Sequence, residues 1–334
     1  MIVVKKDVPV SEIGSGKNMK ILIAYDGTED ADIGIDELQR AGLPAEAEAV
    51  VVSVADVWVP PSEHNEILDD TFPLQIPAGV KWQRKRTANM LREAEELAER
   101  GGKHVRQLFP GWTVSVNTFG GSPVEELLKF TSEWQPQLIV VGSHNYTTLG
   151  RIVLGSVSQK VLAEARTSVR VARRIVGRTA AAAHRIVIGV DGSEGSQLAV
   201  RAVATRDWAP GSEVRVVAAN DSQQSNPIAR IIQPLKEFVN EVNEDGRAQT
   251  EKVAADAVEE LRAALGGKNI TVSTAIETAN PQDLLVRYAA DFGADCIFIG
   301  ANGLGNSLKH FVLGSVSASV AERAACSVEV VRAG

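Results

Sequence analysis

Two short runs of glycine and hydroxyl residues are where this sequence is equipped for chemistry: Leu154-Gly155-Ser156-Val157-Ser158 and, about 160 residues later, Leu313-Gly314-Ser315-Val316-Ser317. Each lies about a dozen residues after an apolar run that ends in glycine, at Gly142 and at Gly300. A helix that opens on glycine lets an anion approach the backbone. Its first turn offers N–H groups without helical partners at the positive end of the dipole, and serine adds a hydroxyl donor. A second motif recurs with the first: a strand-like run closing on Asp26-Gly27-Thr28-Glu29 is echoed by one closing on Asp191-Gly192-Ser193-Glu194. A carboxylate, strand-end glycines and a Gly-Ser helix start, gathered at one end of a sheet, suit a phosphorylated nucleotide.

The elements that must position these residues are legible from periodicity. Short Val/Ile-rich runs alternate with longer helical patterns, which predicts an α/β fold with a parallel sheet covered by helices on both faces. In the first half, strands are expected near 20–26, 48–56, 112–119, 137–142 and 168–173, with helices near 29–41, 80–102, 123–134 and 155–165. The second half repeats the plan with strands near 185–191, 213–220, 270–278, 295–300 and 327–332, and a long helix over 247–265. Each copy is long enough to bury its own core, so the repeat predicts two tandem domains rather than a solenoid. They are expected at 18–175 and 185–334, joined by a linker over 176–184 and preceded by a flexible leader over 1–17. The proline-rich segment from Pro60 to Pro77 reads as a loop. In an open five-stranded sheet, ligands bind beyond the carboxyl ends of the strands where the winding reverses, which is where both motifs fall.

Composition narrows the function classes. With 44% hydrophobic and 23% charged residues and a net charge of −7, the chain reads as globular and acidic, without the basic block that nucleic acid requires. Charges interrupt every apolar stretch short of a membrane span, and the N-terminal residues lack a signal-peptide layout, so the expected location is cytoplasmic, with neither membrane nor nucleic acid as partner. Cys296 and Cys326 fall on predicted strands and read as small core residues. Gly14-Ser15-Gly16-Lys17 imitates a phosphate-binding loop but lacks its spacing and its preceding strand. His144 and His310 have no nucleophile or orienting acid at a recognisable spacing. No metal-ligand set is evident.

The repeated residues resemble the universal stress protein family, in particular its ATP-binding branch, whose fingerprint is Gly, two residues, Gly, nine residues, then Gly-Ser/Thr. The resemblance covers nearly the whole chain, twice. The first copy reads Gly142, Asn145 in place of the second glycine, nine residues, then Gly155-Ser156; asparagine tolerates the left-handed backbone such a turn needs. The second reads Gly300, Gly303, ten residues, then Gly314-Ser315, with both glycines kept and the loop one residue longer. Unchanged loop length favours the first copy as the better-preserved site.

The resemblance implies an adenine nucleotide alpha hydrolase-like fold with strand order 3-2-1-4-5 in each domain. It also implies that Asp26 and Asp191 border the adenine and ribose, that Val54 and Ala219 present backbone to the adenine edge, and that Gly142 and Gly300 flank the ribose. Gly155, Ser156, Val157 and Ser158, with Gly314, Ser315, Val316 and Ser317, would hold the phosphates. ATP is the implied ligand, accompanied by magnesium on its phosphates. The expected role is a nucleotide-dependent stress-response or signalling module acting on a protein partner that the sequence does not identify. No catalytic residue can be named: Arg151 and Lys309 lie in the glycine loops, but no arginine finger or water-positioning carboxylate is recognisable, so at most slow hydrolysis is expected. The alternative is a nucleotide-free interaction module with decayed sites. Each Asp-Gly-Thr/Ser motif also has a simpler reading, in which Thr28 and Ser193 merely cap helices.

The last strand of each copy, around Ser168 to Ala172 and Ser327 to Val331, reads as an edge in need of a partner. Pairing the two domains of one chain through these strands gives a pseudo-dimer and places Arg170 near Glu329. Homodimerisation of the whole chain would add to that pairing.

Overall fold

Strands buried on both faces must be apolar at nearly every position, and the Val/Ile-rich runs of this chain meet that demand. The structure is a computed structural model that describes residues 2–6, 18–57, 78–143, 154–174, 182–220, 235–303 and 313–333. The first half contains β1 (Ile2–Lys6), β2 (Met19–Ala24), α1 (Glu29–Glu37), β3 (Ala47–Asp56), α2 (Ala78–Leu108), β4 (Thr113–Gly121), α3 (Pro123–Trp134), β5 (Leu138–Gly142), α4 (Ser156–Glu164) and β6 (Ser168–Ala172). The second contains β7 (Arg185–Val190), α5 (Glu194–Ala204), β8 (Glu213–Ala219), α6 (Leu235–Leu265), β9 (Thr271–Glu277), α7 (Pro281–Phe292), β10 (Cys296–Gly300), α8 (Ser315–Arg323) and β11 (Ser327–Val331). In both halves the five parallel strands lie in the order third, second, first, fourth, fifth.

Local chemistry sets the helix ends. Thr28 accepts from the Ala31 N–H at 3.3 Å and Ser193 from the Ser196 N–H at 3.2 Å, so the capping role of these residues is real. Pro123 and Pro281 occupy first-turn positions, where no N–H is needed. α3 stops at Gln135 and α7 at Gly293, both in left-handed conformation.

Several sequence boundaries shift. α1 ends at Glu37 and tightens into a 3-10 turn over Leu38–Arg40 instead of running to 41. α2 and α6 are both longer than their apolar periodicity indicated. The added N-terminal turns of α6 do carry an apolar repeat, at Leu235, Phe238, Val239 and Val242, which the sequence reading passed over. Ile2–Lys6, expected in a flexible leader, instead form a strand antiparallel to β4, with Ile2 opposite Gly120. Residues 7–17, the segment from Pro60 to Pro77 expected as a loop, and most of the expected linker lie outside the described residues.

The final strands are not edges. β6 and β11 pair antiparallel with Arg170 opposite Glu329, and this joins the two halves into one eleven-stranded sheet. α3, α4, α7 and α8 share one continuous core on one face, where Val169, Val171, Val328 and Val330 meet Val161, Leu162, Val320 and Ala321. α1 and α2 pack on the opposite face of the first half and α5 and α6 on that of the second, each around a core of its own.

On that second face the seam is ionic. Arg170, fully buried, makes paired hydrogen bonds to the Glu37 carboxylate and another to Glu329 at 3.0 Å. Glu329 also accepts from Arg206, which donates to the Ala41 carbonyl at 2.7 Å, while Arg40 meets Asp295 at 3.0 Å. Charges alternate along Glu37, Arg170, Glu329 and Arg206, and the Arg170–Glu329 pair in the middle of this row crosses the domain boundary. A buried ionic chain of this kind fixes partner and register more than it adds stability.

Candidate functional site

At the carboxyl end of the second half, the strand-end loops and the start of α8 enclose a cavity of about 680 Å³. That is within the range of small-molecule pockets. The sequence-predicted residues Asp191, Ala219, Gly300, Gly303, Gly314, Ser315, Val316 and Ser317 all line it. The sequence reading missed Ser193, Asn302 and the α6 residues Gln249 and Thr250, which complete the wall. Thr250 lies three residues before Val253, which packs into the second-half core, so the face of α6 was legible but its role over the cavity was not.

Each position has a local cause. Asp191 is exposed and accepts from the Ser193 N–H at 2.9 Å, which holds its carboxylate at the strand end. Gly192, at φ +83, makes the left-handed turn between them. Gly300 is glycine for a packing reason: a Cβ there would lie 2.3 Å from the Gly195 carbonyl carbon, so the start of α5 sits directly on the strand end. At Gly303 a Cβ would lie 2.6 Å from Asp191 Oδ2, and glycine leaves that carboxylate oxygen its place. Gly314 precedes α8 without any side-chain cap, so the first-turn N–H groups face the site unclaimed by a capping side chain. Ser315 is exposed, whereas the Ser317 hydroxyl donates to the Ala301 carbonyl at 2.9 Å.

The first half builds the same frame. Asp26 is exposed and accepts from Thr28 N–H and Oγ1 at 3.0 and 2.6 Å, and Gly142 approaches the Asp30 carbonyl so closely that a Cβ would lie 2.8 Å from it. Gly155 precedes α4 without a side-chain cap, Ser156 is exposed, and Ser158 donates to the Gly142 carbonyl at 2.7 Å. Val54 and Val157 are partly buried and pack against the shared core. Asn145 lies outside the described residues, as do His144, Arg151, Lys309 and His310.

The serine tethers of the two copies differ by one residue. Ser158 reaches the last residue of β5, but Ser317 reaches Ala301, one residue past the end of β10. The Gly314 N–H donates to the same Ala301 carbonyl at 2.8 Å. In the second copy the tether therefore falls one residue further along the strand end.

The first half also carries a clamp with no counterpart among the described residues of the second. The Tyr25 hydroxyl donates to Asp32 at 2.5 Å and accepts from Arg100 Nε at 2.7 Å, while Arg100 donates to the Gly27 carbonyl at 2.5 Å. Burial, followed by the hydrogen bond to Asp32, pushes the Tyr25 phenol up to about 12. The clamp ties α2 to the loop that bears Asp26. Val190 occupies the matching position in the second half and packs in its core. Met90, Leu91 and Ala94 of α2 cluster with Ala55 and Val57 at the end of β3. In the second half the corresponding α6 face carries Gly246 and Thr250 and opens on the cavity.

Among the described residues no group of His, Cys, Asp and Glu could hold a metal ion, and no helix is long and apolar enough to cross a membrane. Burial raises the pKa of both thiols, that of Cys326 to about 12.

A family model described as the universal stress protein family matches residues 17–173 and again 182–332. A universal stress protein of Methanocaldococcus jannaschii is 28% identical over 169 residues, covering 49% of this chain and 88% of its own length. A putative universal stress protein of Staphylococcus epidermidis is 31% identical over 152 residues, 44% of this chain and 82% of its own. Among solved structures, a universal stress protein from Archaeoglobus fulgidus covers 96% of this chain and 100% of its own at 19% identity, with a TM-score of 0.61, a likeness of fold across both domains.

Proposed function

Since the chain belongs to the universal stress protein family, as two tandem domains, we propose that it binds an adenine nucleotide, ATP with magnesium, at the second-half site and acts as a nucleotide-dependent stress-response or signalling module. The observation that carries this reading is the cavity lined together by Asp191, Ala219, Gly300, Gly303 and the uncapped start of α8. The residues fit the ligand: N–H groups at Ser315 to Ser317 and the Ser315 hydroxyl would take the phosphates, and Asp191 would accept from the ribose hydroxyls. Magnesium would neutralise phosphate charge, with no protein carboxylate cluster required of it. The first-half residues Asp26, Val54, Gly142, Asn145, Gly155, Ser156, Val157 and Ser158 form the weaker candidate, because its α2 is clamped by Tyr25 and Arg100 and lays Met90 and Leu91 over the end of β3.

Binding rather than turnover is the role this site supports. The cavity wall presents no arginine or lysine to a transferring phosphoryl group among its described residues, so phosphate release should stay well below the ~1 s⁻¹ floor of ordinary enzymes. The seam supports a pseudo-dimer: one molecule supplies both members of the β6–β11 pair, with Arg170 facing Glu329 instead of a second arginine. Light scattering should then give a mass near 35.7 kDa, whereas twice that mass would point to a homodimer added to the internal pairing. The nucleotide reading is tested with a fluorescent ATP analogue, stripped protein and unlabelled competitors. Saturable binding displaced by ATP supports it, and absence of binding hands the function to the interaction-module alternative.

A further inference from the structure

α6 runs unbroken from Leu235 to Leu265, and Gly246 stands well inside it. A glycine in a helix interior weakens the helix, because it has more backbone freedom to lose than any other residue. Two causes account for most such glycines, and neither applies here. The Gly246 backbone is helical, so no left-handed turn requires it. Packing does not require it either: among the described residues, a Cβ there would meet only Asn220 Oδ1, at an ordinary 3.8 Å. The glycines of α2 show the contrast. A Cβ at Gly101 would lie 2.9 Å from the Tyr25 ring, and one at Gly102 would lie 2.5 Å from Val116.

The space at Gly246 belongs to the nucleotide cavity. Gly246, Gln249, Thr250 and Val253 line it from α6, and Val217 and Ala219 line it from β8. The Thr250 hydroxyl donates to the Gly246 carbonyl at 2.8 Å, so it is engaged by its own helix. What α6 turns toward the end of β8 is a flat, mostly apolar wall, with the exposed Gln249 amide as its polar group. The first half fills the matching place. Leu97 lies against Gly27 as Val253 lies against Gly192, which sets α2 and α6 in register. Seven residues before these stand Met90 and Gly246. Met90 clusters with Ala55, which follows Val54 as Asn220 follows Ala219. One half therefore has a thioether chain where the other has no side chain at all.

We propose that Gly246 is the specificity-determining residue of the second-half site. Its missing side chain opens a slot between α6 and the end of β8 that admits a planar heteroaromatic base, and Gln249 hydrogen-bonds the edge of that base. This inference rests on the nucleotide reading of the site and adds the residues that select the base. A flat backbone surface suits the face of a ring, and a side-chain amide both donates and accepts, as the edge of a purine does. A two-ring base covers more of the apolar wall than a one-ring base, so purine nucleotides are favoured over pyrimidine nucleotides.

The test titrates ATP with magnesium, and in parallel CTP with magnesium, into the nucleotide-free full chain by calorimetry, and records the ligand-free thermal midpoint of each variant. Gly246→Met copies the first half. It should weaken ATP binding at least tenfold, remove most of the preference for ATP over CTP, and leave the midpoint unchanged or higher, since a helix-favouring residue replaces glycine. Gly246→Ala, whose Cβ makes only an ordinary contact, should raise the midpoint and keep most of the ATP affinity. Gln249→Leu should reduce the preference for ATP over CTP severalfold and leave CTP binding nearly unchanged. Equal ATP affinity in wild type and Gly246→Met, or equal affinity of the wild type for ATP and CTP, would overturn the inference and leave the nucleotide site standing. A loss of ATP binding in Gly246→Met that comes with a lowered midpoint would mark a structural glycine and overturn it as well. No ATP binding to the wild type would overturn the reading of the site and the inference together.

Discussion

The first and second halves of this chain share a strand order, an aspartate at the end of the first strand and a Gly-Ser helix start, yet they differ in what covers the site. In the first half, Arg100 and Tyr25 pin α2 down and Met90 and Leu91 pack at the end of β3. In the second, Val190 replaces the tyrosine, and α6 presents Gly246 and Thr250 to an open cavity. Motif spacing pointed the other way, because the first copy keeps the loop length and the second does not. The tether at Ser317 shows why spacing misleads: with the longer loop the serine still ties α8 to the strand end, one residue further along. A ligand site depends on the space above the motif as much as on the motif.

The strongest way to break the comparison is to attack what the halves share. Arg170→Met leaves Glu37 and Glu329 buried without their common partner and should cost about 3–5 kcal/mol, measured by urea unfolding. The loss should appear as one transition for the whole chain; two transitions, with one half unaffected, would mean that the seam does not couple them. Tyr25→Phe removes the first-half clamp and should cost about 1–2 kcal/mol, since Asp32 regains water, while Val190→Phe should not reproduce any clamp. The matched tethers sharpen the comparison at smaller scale: Ser158→Ala and Ser317→Ala should each cost about 1 kcal/mol, and a much larger loss for Ser317 would show the longer loop to be strained.

The clamp also sets a pH window. Tyr25 is held neutral up to about 12, above its usual value of 10. Between those values the unfolded chain releases the phenolic proton and the folded chain keeps it, so the unfolded state binds fewer protons and stability falls as pH rises. The contribution is complete below pH 10 and gone above about 12; Tyr25→Phe should flatten that part of the stability profile, and an unchanged slope would remove Tyr25 as its source.

How much of this was written in the sequence follows from what each residue's partner is. Continuous Val/Ile runs must be buried strands, so all ten parallel strands were readable to within a few residues, as was the pairing of Arg170 with Glu329, which lie in strands that needed partners. Glu37, Arg206, Arg40 and Asp295 were not, because a charge on a helix or in a turn reads as a solvated face until the fold brings its partner against it. Gly142 and Gly300 were found for their place near a ligand, but their immediate cause is the backbone of α1 and α5 lying on the strand ends, a contact between elements that spacing within one motif does not encode.

The central claim, that the second half holds the working site, is tested most directly by calorimetric titration of stripped protein with ATP and magnesium, in the wild type and in Gly314→Asp and Gly155→Asp. Each variant places a carboxylate where one candidate site would hold phosphate. Binding in the wild type that survives Gly155→Asp and is lost in Gly314→Asp is the predicted result; binding lost in Gly155→Asp and kept in Gly314→Asp would contradict it.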